Sequence, residues 1–148
     1  MKIGFSTYTP KQIDFLLNNF DFDLVQLPFN VFDNRLIQGG QLKALKKKKI
    51  EIHARSVFLQ GLLLDFNNLS DYFLTWKNEF DVYQDVVKES GLSKLEYALN
   101  FVLSIKEIDK VLVGVNSKKE LKEIVQSVKD KEELNAYSID DINLLNPS

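Results

Sequence analysis

Residues 50–55 read Ile50-Glu51-Ile52-His53-Ala54-Arg55. Apolar and polar side chains alternate throughout. A period of two marks an extended strand, because successive side chains point to opposite sides of it. Ile50, Ile52 and Ala54 then share one side; Glu51, His53 and Arg55 share the other. Three more short apolar runs flank this one, at residues 2–6, 24–27 and 110–115. Each is rich in Ile, Val or Leu and ends in a loop signal, as a buried parallel strand does. In the first, Gly4 and Ser6 oppose Ile3 and Phe5. In the second, Leu24 and Gln26 oppose Val25 and Leu27. In the last, Leu112 and Gly114 oppose Val111, Val113 and Val115.

The segments between these runs have helical spacing. Thr9 can cap a helix over residues 10–19, and Pro10 suits its first position. Ile13, Leu16 and Leu17 give that helix an apolar stripe. Residues 34–48 read as one helix with Leu36, Leu42 and Leu45 on a face and four lysines, Lys46 to Lys49, at its end. Cations there favourably oppose the helix dipole, so a solvated face is expected. Ser70 is expected to cap a helix that Gly91 stops. Its aromatic residues, Tyr72, Phe73, Trp76, Phe80 and Tyr83, read as core. Ser93 should cap the next helix, burying Leu95, Ala98, Leu99, Val102 and Leu103. The last spacer, 117–128, is expected to turn Leu121, Ile124 and Val125 inward. Residues 131–148 are weakly patterned.

Strand and helix therefore alternate four times. Parallel neighbours need crossover connections, so this order implies a parallel sheet covered by helices, an α/β fold. Either a doubly wound open sheet or part of a (β/α) barrel would satisfy it. The strand faces favour the barrel. A sheet covered on both sides would bury Glu51, His53 and Arg55 at a cost. A barrel interior opening onto a site at its carboxyl mouth accommodates them.

Composition narrows the function. With 148 residues the chain is one domain. Its 19 Lys+Arg against 21 Asp+Glu leave a net charge of −2, which gives no general attraction to nucleic acid or anionic lipid. There is no cysteine, and His53 is the only histidine, so thiolate chemistry and His-rich zinc sites are excluded. No apolar run reaches the roughly 20 residues that span a bilayer. The opening residues are too quickly polar for a signal peptide. A cytoplasmic protein is expected.

Five stretches in order resemble one family. Ile3-Gly4-Phe5-Ser6-Thr7-Tyr8 is similar to a strand end of the aldo-keto reductases, and Val25-Gln26-Leu27-Pro28-Phe29-Asn30 to the next strand. Asn30, Asp33 and Arg35 resemble the pattern of a bacterial branch. His53-Ala54-Arg55-Ser56-Val57-Phe58-Leu59-Gln60-Gly61-Leu62-Leu63 resembles a third strand with its cofactor loop. Val111-Leu112-Val113-Gly114-Val115, followed by Leu121 and Glu123, resembles the last strand and its helix. Ile142-Asn143-Leu144-Leu145-Asn146-Pro147 resembles the carboxyl end.

This resemblance implies a parallel (β/α)4 half-barrel, the second half of a (β/α)8 barrel. The family's catalytic tyrosine, aspartate, lysine and histidine lie in the other half, and no position here matches them; Tyr8 and His53 are not their counterparts. It further implies a cradle for NADP or NAD. Ser6 and Gln26 would bond the nicotinamide carboxamide. Arg55 stands where many members stack a tyrosine on the ring. Ser56, Leu59, Gln60 and Gly61 would line the pyrophosphate, and Gly114, Asn116, Ser117 and Glu123 the adenosine end. The residues that accompany a 2′-phosphate in the family are replaced by Gly114-Val115 and Glu120, with Lys118 or Lys119 as substitutes. The residue-level alternatives are plainer: Arg55 paired with Glu51 or with an acidic neighbour across the interior, and His53 a structural interior residue. Three functions follow: a half-barrel silent alone, a reductase assembled with a separate N-terminal half-barrel, or a homodimeric binding module.

Overall fold

The computed structural model describes residues 1–67, 69–129, 134, 137, 139 and 141–145. Four parallel strands form one sheet in the order β1-β2-β3-β4, so each strand pairs with its neighbour in sequence. They are β1 (Gly4–Ser6), β2 (Leu24–Pro28), β3 (Glu51–Arg55) and β4 (Lys110–Val111). In β2 and β3 every second residue is buried: Val25, Leu27, Ile52 and Ala54 sit in the core, and the residues between them are half-exposed. One face is thus covered by helices and the other is open, as the alternation through 50–55 predicts.

Local signals set several elements. Helix α1 (Pro10–Asn19) begins at a capping box: Thr9 Oγ1 accepts from the Gln12 N–H at 3.3 Å, and Gln12 Oε1 accepts from the Thr9 N–H at 3.2 Å. It buries Ile13 and Leu16. The expected helix over 34–48 is two helices, α2 (Arg35–Gln38) and α3 (Gln41–Lys47). The break falls at Gly39-Gly40, where Gly40 adopts a left-handed φ of 79° that ends one helix and starts the next. Both still bury the expected face, Leu36, Leu42 and Leu45.

After β3 the segment expected as one long helix divides too. Asp71–Trp76 is a 3-10 helix, and α4 (Lys77–Ser90) follows and ends at Gly91. Ser70 makes no capping bond. Helix α5 (Lys94–Ser104) has the Ser93–Glu96 capping box. Its deepest residues include Tyr97 and Phe101 beside Ala98, Leu99 and Val102, while Leu95 and Leu103 are half-buried.

The core is aromatic. Phe32 meets Phe80, Tyr83 and Tyr137 at ring-centroid distances of 5.5, 5.4 and 5.9 Å, and Phe29 stacks on Phe101 at 6.0 Å. The carboxyl segment packs onto this region. Ile139 N–H donates to the Phe32 carbonyl at 3.0 Å, and Trp76 Nε1 donates to Asp141 Oδ2 at 3.0 Å. Helix α7 (Ile142–Leu145) buries Leu144 and Leu145. Asn146 and Pro147 lie outside the described residues.

The β4 side departs most from expectation. The strand has two paired residues because its partner runs out: Leu112 N–H still reaches the Ala54 carbonyl at 2.8 Å, and the chain then turns off β3 at Ser56. Helix α6 (Lys118–Gln126) buries no residue. Leu121 and Val125, expected inward, are 47% and 64% exposed, and Ile124 is half-buried. Polar bonds attach the end of this segment to α5: Asn100 Nδ2 donates to the Ser127 carbonyl, and Asn100 Oδ1 accepts from the Lys129 N–H. The opposite edge is also bare, with Ile3, Phe15 and Phe20 exposed beside β1. Among the described residues no helix is long and apolar enough to cross a membrane.

Candidate functional site

The open sheet face carries the site. Parallel register aligns Ser6 with Gln26, Gln26 with His53, and His53 with Lys110, one row across four strands. A second row, one step nearer the carboxyl ends, contains Pro28 and Arg55. Ser6 is exposed and Gln26 half-buried, and neither side chain bonds a described residue. A hydroxyl and a carboxamide thus sit side by side with unspent donors and acceptors.

Arg55 reaches past β2 to the end of β1. Its Nη2 donates to the Thr7 carbonyl at 3.1 Å and its Nη1 to Ser56 Oγ at 3.2 Å. The guanidinium carbon lies 4.4 Å from the centroid of the Tyr8 ring, a cation–π contact. The expected pairing of Arg55 with Glu51 does not occur. Glu51 is two residues nearer the strand's amino end, where Lys2, Lys110 (2.9 Å) and His53 (2.8 Å) hold it. His53 is half-buried in this ion cluster, which supports its structural reading.

Hydrogen bonds from His53, Lys2 and Lys110 hold the Glu51 carboxyl well below the usual carboxylate range. A depressed carboxyl adds stability above its unfolded value, near 4.5, and loses it as pH falls toward the folded value. Glu51→Gln is expected to flatten the acid limb of the stability profile between about pH 5 and about pH 3. Urea midpoints across that range are the measurement; parallel wild-type and variant curves would contradict the assignment.

The loop after β3 is strained. Ser56, Leu59 and Gln60 have φ of 58°, 46° and 55°, and Gly61 has 91°. Left-handed non-glycine residues cost of order 1–3 kcal/mol each and cluster at functional sites. Leu59, expected to line a ligand, is instead a core residue 1% exposed, and its N–H donates to the Ser56 carbonyl at 3.0 Å. The Gly61 N–H is also engaged, with the Phe58 carbonyl at 2.9 Å. The N–H groups of Val57, Phe58 and Gln60 donate to no described residue.

Asn30 holds this loop. Buried at 1% exposure, it accepts the N–H of Phe32 and of Asp33 on Oδ1, both at 2.9 Å, and donates from Nδ2 to the Ser56 carbonyl at 3.1 Å. Asp33 in turn grips Arg35 through two bonds of 2.8 and 3.1 Å. The resemblance places Asn30 in a family pattern and assigns it no contact. An asparagine three residues before an aspartate, just past a strand, is the turn signal that could have flagged it.

Gly114, Asn116, Ser117 and Glu123 lie beyond the carboxyl end of β4. Among the described residues no hydrogen bond or ion pair links them to Ser6, Gln26 or Arg55. Ser117 caps α6 through the Glu120 N–H at 3.1 Å. Glu120 Oε2 takes the Asn116 N–H at 2.7 Å, so a carboxylate already occupies this helix start. Glu123 pairs with Lys119 at 3.8 Å.

The model of the aldo/keto reductase family matches residues 1–147. The chain belongs to that family. Among solved structures it is similar to the aldo-keto reductase AKR11C1 from Bacillus halodurans, holo form, with a TM-score of 0.69 and 20% identity over 89% of this chain and 45% of that one. The apo form of the same protein gives 0.67 at 21% identity, covering 88% and 46%. The glycerol dehydrogenase AKR11B4 from Gluconobacter oxydans gives 0.54 at 14%, covering 98% and 50%. At these identities the likeness shows the fold. This aldo/keto reductase chain spans about half the length of the structures it matches. No curated protein matches it.

The family implies a nicotinamide dinucleotide. The donor set fits its carboxamide, since Ser6 and Gln26 offer unspent complementary groups, and the loop of residues 56–61 offers free N–H groups suited to an anion. The start of α6 does not fit an extra phosphate, because Glu120 is bonded there.

Proposed function

We propose that this chain is the cofactor-holding half of a nicotinamide-dependent carbonyl reductase, equivalent to strands five to eight of the family's barrel, and that it works in the cytoplasm. One observation carries the reading: Ser6 and Gln26, adjacent in register and unpaired, lie on an open sheet face beside the Arg55–Tyr8 contact at its carboxyl end. When bound, the dinucleotide supplies or accepts the hydride. Ser6 and Gln26 fix which way its carboxamide faces. The loop of residues 56–61, braced by Asn30, holds the pyrophosphate through backbone N–H groups. Glu120 disfavours a 2′-phosphate, so NADH is preferred over NADPH. The proton donor belongs to the complementary half-barrel, and the chain alone is silent.

The test is a titration of the full chain with NADH and NADPH, followed by cofactor fluorescence. We expect NADH to bind with a Kd of roughly micromolar order, about −8 kcal/mol. NADPH should bind at least about tenfold more weakly, a difference of 1.4 kcal/mol. Gln26→Leu should weaken NADH by a similar factor. Absence of binding by both nucleotides, or brisk carbonyl reduction by the chain alone, would refute the reading.

A second reading rests on the two bare edges. Ile3, Phe15 and Phe20 on one side and Leu121, Val125 and Val128 on the other are exposed apolar groups beside the sheet's two outer strand edges. Unpaired edges are templates for further strands. Two copies, or this chain with a separate N-terminal half-barrel, could close an eight-stranded cylinder. Sedimentation of the chain as a compact monomer would remove the homodimer.

A further inference from the structure

Among the described residues, Arg55 is the one cation on the open face whose counter-charge is not accounted for by the ion pairs around it. The neighbouring charges are engaged elsewhere: Glu51 with Lys2, His53 and Lys110, and Asp33 with Arg35. Among the described residues Arg55 has no carboxylate partner, and its contacts are the Thr7 carbonyl, Ser56 Oγ and the Tyr8 ring. All three are neutral. Two hydrogen bonds and the ring contact hold the half-buried guanidinium in place. It is also placed against the carboxamide-binding pair. Thr7, whose carbonyl it bonds, follows Ser6 directly, and Arg55 stands one row beyond Gln26 on the same face.

The two redox states of a nicotinamide differ in charge: the reduced ring is neutral and the oxidised ring carries one positive charge. A ring whose carboxamide Ser6 and Gln26 held would come close to Arg55, which stands one row along the same face. There, like charges a few ångströms apart at a protein surface repel strongly enough to change a dissociation constant by roughly tenfold to hundredfold. We infer that Arg55 is a specificity-determining residue that makes this site discriminate between redox states, accepting the reduced dinucleotide and rejecting the oxidised one. The inference rests on the cofactor reading above and deepens it. Its consequence is directional. The charge that admits reduced cofactor also helps expel the oxidised product. Each tenfold preference for the reduced form raises the potential of the bound couple by about 30 mV.

The experiment measures dissociation constants of NADH, NAD⁺ and ADP-ribose on the full chain by calorimetry. ADP-ribose lacks the nicotinamide and reports the rest of the cradle. For the wild type we expect NADH to bind at least about tenfold more tightly than NAD⁺, with the ratio shrinking as salt is raised from about 0.05 M to about 0.5 M. Arg55→Gln should bring the ratio below about threefold, chiefly by tightening NAD⁺, with ADP-ribose unchanged. Arg55→Lys, which keeps the charge, should retain most of the preference. Equal wild-type affinities for NADH and NAD⁺, a salt-independent ratio, or a ratio that Arg55→Gln leaves intact would overturn this inference and leave the cofactor reading standing. Failure of all three ligands to bind the wild type would overturn both.

Discussion

Phe32→Ala is expected to remove about 3–5 kcal/mol of stability, the range for truncating a buried aromatic residue. Phe32 is fully buried and touches three separate parts of the fold: Phe80 and Tyr83 on α4, Tyr137 in the carboxyl segment, and its own turn through Asn30. The cavity left by the ring would lie between rigid aromatic neighbours that cannot collapse into it. Domains are stable by only about 5–15 kcal/mol, and one with two bare sheet edges should sit low in that range. The urea midpoint should fall by roughly 1–3 M, with near-ultraviolet circular dichroism lost over the same interval. A shift under about 0.5 M would mean that the aromatic cluster is loosely packed. Phe32→Leu, which fills most of the space, should recover much of the loss.

Asn30→Ala should cost about 2–4 kcal/mol by a different route, because it leaves two N–H groups and one carbonyl without their partner. Oδ1 is the shared acceptor for Phe32 and Asp33, and Nδ2 is the donor to Ser56. Asn30→Asp separates these tasks. It keeps the acceptor and so the turn, but sets an oxygen against the Ser56 carbonyl. That variant should lose some global stability, because a carboxylate at a residue 1% exposed is costly, while amide exchange at residues 57–61 speeds up by at least about tenfold, the mark of a local opening. NADH binding should weaken in step with the exchange. Equal exchange rates in Asn30→Asp and wild type would show that the strained loop is fixed by something else.

How far the sequence alone leads differs from element to element. Thr9, Pro10 and Gln12 specify the start of α1 within four residues, and the alternation at 50–55 specifies which sheet face is covered. Those signals are local, so they can be read without knowing the neighbours. Gly39-Gly40 was equally local, but the apolar face continues across it, and the periodicity hid the break. The expected burial of Leu121 and Val125 failed for another reason. An apolar stripe states that a helix has a face to bury; whether anything covers it depends on which strand lies beside β4. Leu59 was misread because resemblance assigns a position in a loop and says nothing of which way its side chain turns. Arg55 was half legible. Its face follows from periodicity, whereas its partners depend on the register that brings Thr7 and Tyr8 past β2.

The strand order β1-β2-β3-β4 also bears on how the molecule assembles in time. Every ladder joins consecutive strands, yet the last one pairs His53 with Lys110 and must wait for the whole of α4 and α5. Each parallel ladder closes a long crossover connection, and non-local pairing of this kind slows folding. The carboxyl segment reaches back further still, from Ile139 to Phe32 and from Asp141 to Trp76. Its docking on the aromatic cluster is therefore expected to come late, and until then a nascent chain would present that cluster to chaperones.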